Sequence, residues 1–316
     1  MKTAFVFPGQ GSQRVGIGSD LFNEYSVFGN VFSEVSDVVH RDIAKVALIG
    51  PESEINKTEN AQLVLMSMSV GIFRILQSEI GNDLNVSFVA GHSLGEYSAL
   101  VCSSAFSLAD MALFLDERGK AMTSAVKEGV GGMAVILGLA KKDVENIVNK
   151  STISDDDMCC IANDNCPGQI VLSGHVTALK RAEEFAKSMG AKRFLMLPVS
   201  VPAHSPLMKK AMDVLRPKMD LLKFSKPIIP FISNNSASVE SDEMVIKEHL
   251  LNQMVLGVRW VDCVNYMINH GVDLFVEIGA GVVLSGLIKK IVDSGNIKIA
   301  NINNVEGVNN YVRSYR

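Results

Sequence analysis

Short apolar runs alternate with longer amphipathic stretches along almost the whole chain. A brief apolar run bounded by turn residues reads as a buried strand, and apolar positions recurring at i, i+3 and i+4 read as a helix with one face on a core. On that basis residues 3–7, 86–90, 133–139, 169–173, 193–197, 228–232 and 274–278 are predicted strands, with helices between them. Strands alternating with helices predict an α/β fold, a mostly parallel sheet covered by helices.

Between Lys127 and Pro198 the texture changes. Gly129-Val130-Gly131-Gly132 opens the segment, Asp155-Asp156-Asp157 interrupts it as a solvated loop, and Pro198 and Pro202 close it. Its order is strand, helix 141–149, strand, strand, helix 175–189, strand, the βαββαβ pattern of a ferredoxin-like fold. The expected organisation is therefore a large α/β subdomain from residues 1–127 and 199–316, with a ferredoxin-like subdomain inserted at 128–198.

Composition excludes several classes. The chain has 316 residues, 47% hydrophobic and 20% charged, which describes a compact protein rather than a disordered, collagenous or coiled-coil one. A mean hydropathy of +0.22 raises the membrane question. The most apolar helical stretch, residues 61–76, is interrupted by Gln62, Ser67, Ser69 and Arg74 and falls short of the ~20 apolar residues that a spanning helix needs. No membrane span is predicted, and Pro8 ends the first apolar run too early for a signal-peptide core, so a cytoplasmic location is expected. The five cysteines show no C-x-x-C pair and read as reduced thiols. A net charge of -4 argues against broad nucleic-acid binding.

The most informative segment runs from Val86 to Leu100 and contains Gly91-His92-Ser93-Leu94-Gly95. An apolar strand enters this G-x-S-x-G and a helical stretch from Leu94 leaves it, the strand, sharp turn and helix of a nucleophile elbow. Such a turn exposes the Ser93 hydroxyl and places a helix N-terminus where negative charge develops. The alternative is a glycine-rich connection with a capping serine. Glu96 reads as a first-turn acid that suits the helix dipole.

A serine hydroxyl needs a base to take its proton. His40, His175, His249 and His270 lie in or beside helices, and His92, next to Ser93 on a sharp turn, points away from it. His204 lies between Pro202 and Pro206, which restrict the backbone on either side and suit a side chain needing a fixed direction. Arg118 interrupts the apolar stripe formed by Leu108, Met111, Leu115 and Met122, so its guanidinium requires a partner. That partner is either an internal acid or a carboxylate on the substrate. The loop Pro8-Gly9-Gln10-Gly11-Ser12 follows the first strand without the ending of a P-loop. It is either an ordinary strand-to-helix turn or a donor of backbone N–H groups to an oxyanion.

Together these segments resemble the malonyl-CoA:acyl-carrier-protein transacylase family. The matching motifs are FPGQGSQ from Phe7, GHSLGEYSAL from Gly91, RGKAM from Arg118, NDNCPGQIVLSG from Asn163 and VPAHSPLM from Val201. The resemblance implies a hydrolase-like fold with an inserted ferredoxin-like subdomain, Ser93 as nucleophile, His204 as general base and Arg118 as anchor for the malonyl carboxylate. It also implies an oxyanion hole from the backbone N–H groups of Gln10 and Leu94, and orientation of His204 by a main-chain carbonyl at Gln253. The implied partners are malonyl-CoA and holo acyl-carrier protein. No metal, cofactor, nucleic acid or membrane is expected, and the chain is expected to be a monomer. Ala203 stands before His204 where free-standing members often have Ser, which leaves malonyl against methylmalonyl open. The paired Asn234-Asn235 is retained, but the Ser236-Ala237-Ser238 that follows is unfamiliar, and no role is assigned there.

Two rivals remain at this level. A serine esterase or thioesterase shares the elbow, but its histidine usually sits near the chain end and it needs no arginine on a buried helix face. A non-catalytic carrier-protein scaffold would not need Ser93, His204 and Arg118 together.

Overall fold

The computed structural model describes residues 1–199, 201–292 and 295–315; Ser200, in the segment that carries His204, lies outside them. Its strands are β1 (Thr3–Phe7), β2 (Phe88–Gly91), β3 (Gly131–Leu137), β4 (Cys159–Cys166), β5 (Gln169–His175), β6 (Arg193–Met196), β7 (Phe231–Ile232), β8 (Val239–Glu240), β9 (Leu274–Ile278) and β10 (Lys298–Ile302). They form two sheets. The larger has the order β10-β9-β1-β2-β7-β8 and is parallel except for β8.

β1 is buried at every position, as a central parallel strand covered on both faces must be. The alternation of side chains divides it cleanly. Phe5 and Phe7 point into the core beneath the Thr58–Ile80 helix, where Phe5 meets Phe73 edge to face at 6.2 Å. Ala4 and Val6 point into the opposite core, against Trp260, Phe275 and Leu284. The sheet is thus a wall between two apolar layers.

The helix Thr58–Ile80 is longer than the apolar stretch at its centre. Extended through Asp83, it is long and apolar enough by composition to cross a membrane, contrary to the reading from residues 61–76 alone. It is buried on all faces from Asn60 through Phe73, the pattern of a helix that runs through a protein core.

The smaller sheet is antiparallel with the order β4-β5-β3-β6. Helices Lys141–Ser151 and Val176–Ser188 cover one face around Ile136, Val144, Leu172 and Leu179. Read in chain order from one edge this is fourth, first, third, second, the ferredoxin-like arrangement.

Several predicted strands differ in extent. The strand expected at 86–90 begins at Phe88 and continues into Gly91, carrying the elbow one residue further. That expected at 133–139 is displaced to Gly131–Leu137. The run 228–232 pairs only at Phe231 and Ile232, because Pro230 has no N–H to donate to a ladder. β8 and β10 carry too little continuous apolar character to stand out. Both lie at sheet edges, where one side of the strand is open. All five cysteines are free thiols.

Candidate active site

The carboxyl ends of β1, β2, β7 and β9 converge, the usual location of a ligand site in an open α/β sheet. β2 ends at Gly91, and the next helix begins at Gly95. A Cβ on Gly91 would lie 1.8 Å from the Gly95 carbonyl carbon, and one on Gly95 would lie 2.0 Å from the Phe7 carbonyl oxygen. Both glycines are therefore required for the helix to leave the strand so sharply. Ser93 sits at the apex with φ of 52°, a left-handed conformation unusual for a residue with a side chain. The side chain of Asn234, just beyond β7, clamps that turn. Its Oδ1 accepts from the Ser93 N–H at 2.9 Å, and its Nδ2 donates to the Gly91 carbonyl at 2.7 Å.

His204 approaches from the other side of the cavity. It too has a left-handed backbone, with φ of 61°. The following residues secure this turn: the Ser205 hydroxyl donates to the Pro202 carbonyl at 2.7 Å, and Pro206 opens a short 3-10 turn. The imidazole Nε2 lies 2.8 Å from Ser93 Oγ, and Nδ1 lies 2.6 Å from the main-chain carbonyl of Gln253. Because a carbonyl only accepts, Nδ1 carries the proton and Nε2 is left to accept from the serine. Burial lowers His204 to about 4, helped by the Arg118 cation and opposed by the Gln253 carbonyl. The imidazole is therefore neutral around pH 7, with Nε2 free to accept a proton.

Arg118 projects from the Leu108–Ala125 helix, which is capped by the Ser107 hydroxyl accepting from the Asp110 N–H at 3.0 Å. It is 2% exposed, yet among the described residues it makes no ion pair. Its Nη2 donates to Gln253 Oε1 at 3.1 Å and its carbon Cζ lies 5.0 Å from the centre of the Tyr97 ring. Its Nε has no hydrogen-bond partner among the described residues. Among the described residues no acid is paired with the guanidinium.

Ser93, His204 and Arg118 line one cavity of about 260 Å³ with Gln10 and Leu94. Neither the Gln10 N–H nor the Leu94 N–H donates to any acceptor among the described residues, so both remain available beside the serine. Apolar walls come from Met122 and Leu287 of the larger layer and from Met133, Val171 and Leu197 of the smaller one. His92 turns away from Ser93, as expected, and its Nε2 meets Asn165 Oδ1 on β4 at 2.8 Å.

A family model for the acyl transferase domain matches residues 4–312. The chain belongs to the acyl transferase family. It is 40% identical to a malonyl CoA-acyl carrier protein transacylase of Salmonella typhimurium, over 92% of this chain and 93% of the relative. Among solved structures, an acyl-carrier-protein-S-malonyltransferase from Bartonella henselae superposes with a TM-score of 0.94 at 40% identity, over 100% of this chain and 99% of the other. A type II PKS acyl-carrier protein in complex with its malonyl-transacylase gives a match with TM-score 0.95 and 37% identity, over 99% of this chain and 100% of that one.

In this acyl transferase two residues carry more than the sequence suggests. Asn234, given no role from sequence, holds the Ser93 turn. Glu96 stands in the first turn of the Gly95–Cys102 helix, as read from the sequence, but it is also buried: it is 1% exposed, and its carboxyl accepts from the Asn234 N–H at 2.6 Å and from the Gln253 side-chain amide. Burial raises the Glu96 carboxyl above the ordinary carboxylate range, against those donors and the nearby Arg118. The one signal in the sequence was an acid inside the run from Leu94 to Cys102, which is otherwise without charge. Among the described residues no group of three His, Cys, Asp or Glu side chains is placed to hold a metal ion.

Proposed function

We propose that this chain transfers the malonyl group from malonyl-CoA to the phosphopantetheine thiol of holo acyl-carrier protein through an acyl-Ser93 intermediate, supplying fatty-acid chain elongation. The observation that carries this reading is the meeting of a serine–histidine pair with a buried arginine that has no acid partner among the described residues, on one cavity.

Ser93 Oγ attacks the thioester carbonyl while its proton passes to His204 Nε2. The tetrahedral oxyanion is held by the N–H groups of Gln10 and Leu94. Collapse breaks the carbon–sulfur bond, and the proton on His204 goes to the departing CoA sulfur. The carrier thiol then attacks the Ser93 ester, giving its proton to His204, which returns it to Ser93 Oγ as the malonyl group leaves. Throughout, the Gln253 carbonyl holds Nδ1–H and stabilises the imidazolium that forms twice per cycle. Arg118 receives the malonyl carboxylate, for which its planar fork is the matching shape. Residues 1–127 and 199–316 form the catalytic subdomain in this reading, and the inserted subdomain at 128–198 closes the cavity over the acyl group.

Intact-mass analysis after separate incubation with malonyl-, methylmalonyl- and acetyl-CoA tests the first half-reaction, and addition of holo acyl-carrier protein tests the second. A malonyl adduct that moves to the carrier, with parallel double-reciprocal plots, is expected. Faster release to water than to the carrier would favour an esterase.

The electrostatics of His204 give a further expectation. Its base form is lost only as pH falls through about 4, so single-turnover acylation should stay flat from pH 8 to roughly pH 5 and decline below that. A decline centred near 6.5 would show an imidazole exposed to solvent rather than buried.

A further inference from the structure

Gln253 touches all three parts of the site. Its main-chain carbonyl accepts from His204, its Oε1 accepts from Arg118, and its Nε2 donates to the Ser93 carbonyl at 3.0 Å and to the Glu96 carboxylate. Only one orientation of the amide satisfies these contacts. Turned over, Oε1 would face two acceptors, the Ser93 carbonyl and Glu96, and the NH2 group would face a guanidinium that is itself all donor. The Glu96 carboxyl also receives the Asn234 N–H, so a donor faces each of its oxygens, and only the ionised form, which these donors and Arg118 favour against burial, satisfies both. A glutamine at this position has one oxygen and one NH2 and cannot accept at both.

We infer that Glu96 is a positioning residue for acyl-group selection: by fixing the Gln253 amide with Oε1 towards Arg118, it holds the guanidinium ready for a substrate carboxylate. This rests on the reading of Arg118 as the carboxylate anchor. Arg118 has no acid of its own and its Nε is unpartnered, so Gln253 Oε1 is its only hydrogen-bond acceptor among the described residues. Glu96 stands on the far side of that amide and never touches substrate. It is absent from the residues that line the cavity.

The test compares single-turnover acylation by malonyl-CoA and acetyl-CoA. In Glu96→Gln the ratio of kcat/KM for malonyl over acetyl is expected to fall by about tenfold or more, mainly through KM for malonyl-CoA, as loss of a hydrogen bond to a charged group implies. Gln253→Met keeps the main-chain carbonyl and the side-chain volume while removing the amide. It should lower the same ratio, leave the acidic limb of the rate profile in place, and show no added loss when combined with Glu96→Gln. An unchanged ratio, equal loss for both substrates, or additive losses would overturn the inference. If Glu96→Gln does not fold, as judged by thermal melting, Gln253→Met alone decides. A wild-type protein without preference for malonyl-CoA would instead overturn the role of Arg118 and this inference with it.

Discussion

Ser93→Ala is expected to abolish the covalent acyl-enzyme and to reduce malonyl transfer by at least about 10⁴-fold, the scale seen when a nucleophile is removed from a unit of cooperating groups. The substitution deletes one oxygen from a turn already held by the two glycines and by Asn234, so folding should be preserved. The residual rate would reflect binding and the free N–H groups of Gln10 and Leu94. Intact mass after excess malonyl-CoA checks this directly. A persistent mass gain in the variant would place the acyl group on another side chain and remove the basis of the mechanism.

Arg118→Met should separate substrates rather than stop the chemistry. The buried guanidinium offers a bidentate, charge-assisted contact to the malonyl carboxylate, whose loss is expected to lower kcat/KM for malonyl-CoA by about a thousandfold. Acetyl-CoA brings no carboxylate and leaves the wild-type cation without a partner, so its acylation should be little changed or improved. Methionine fills a similar volume among apolar neighbours and does not leave the Gln253 amide facing a charge. Parallel losses for both acyl groups would mean that Arg118 supports the fold and does not select the substrate.

The three residues that meet at the candidate site were legible for specific reasons. Ser93 stood out because a strand, two glycines and a helix in immediate succession leave few backbone paths, and the conformation follows from those local restrictions. His204 was marked by Pro202 and Pro206, which limit the chain around it. Arg118 was marked as a charge on an otherwise apolar helical stripe. Sequence pattern left its partner open between an internal acid and a substrate carboxylate, and the absence of any ion pair to it among the described residues favours the second. The inserted βαββαβ order was legible as well, because its helices have alternating apolar faces and its strands are bounded by turns.

Glu96 and Asn234 were not legible in the same way. A first-turn acid satisfies the helix dipole whether it is exposed or buried, and nothing local distinguishes the two. What buries Glu96 is the arrival of Asn234 from beyond β7 and of Gln253 from the end of the Glu243–Asn252 helix, 138 and 157 residues along the chain. Asn234 is ambiguous for the same reason, since its two hydrogen bonds go to residues of a strand and turn far from it in sequence.

The chain by itself determined the α/β class, the βαββαβ order of the insertion and the sharp turn at Ser93, and it marked His204 and Arg118 as candidates, because each depends on interactions spanning a few residues: periodicity, ring and glycine restrictions, and the placing of charge on a helical face. Only the folded molecule decided that one glutamine joins the serine, the histidine and the arginine, and that an acid lies beneath it. Hydrogen bonds between remote segments depend on angles and separations of fractions of an ångström, set by the packing of whole elements, and no local pattern carries that information.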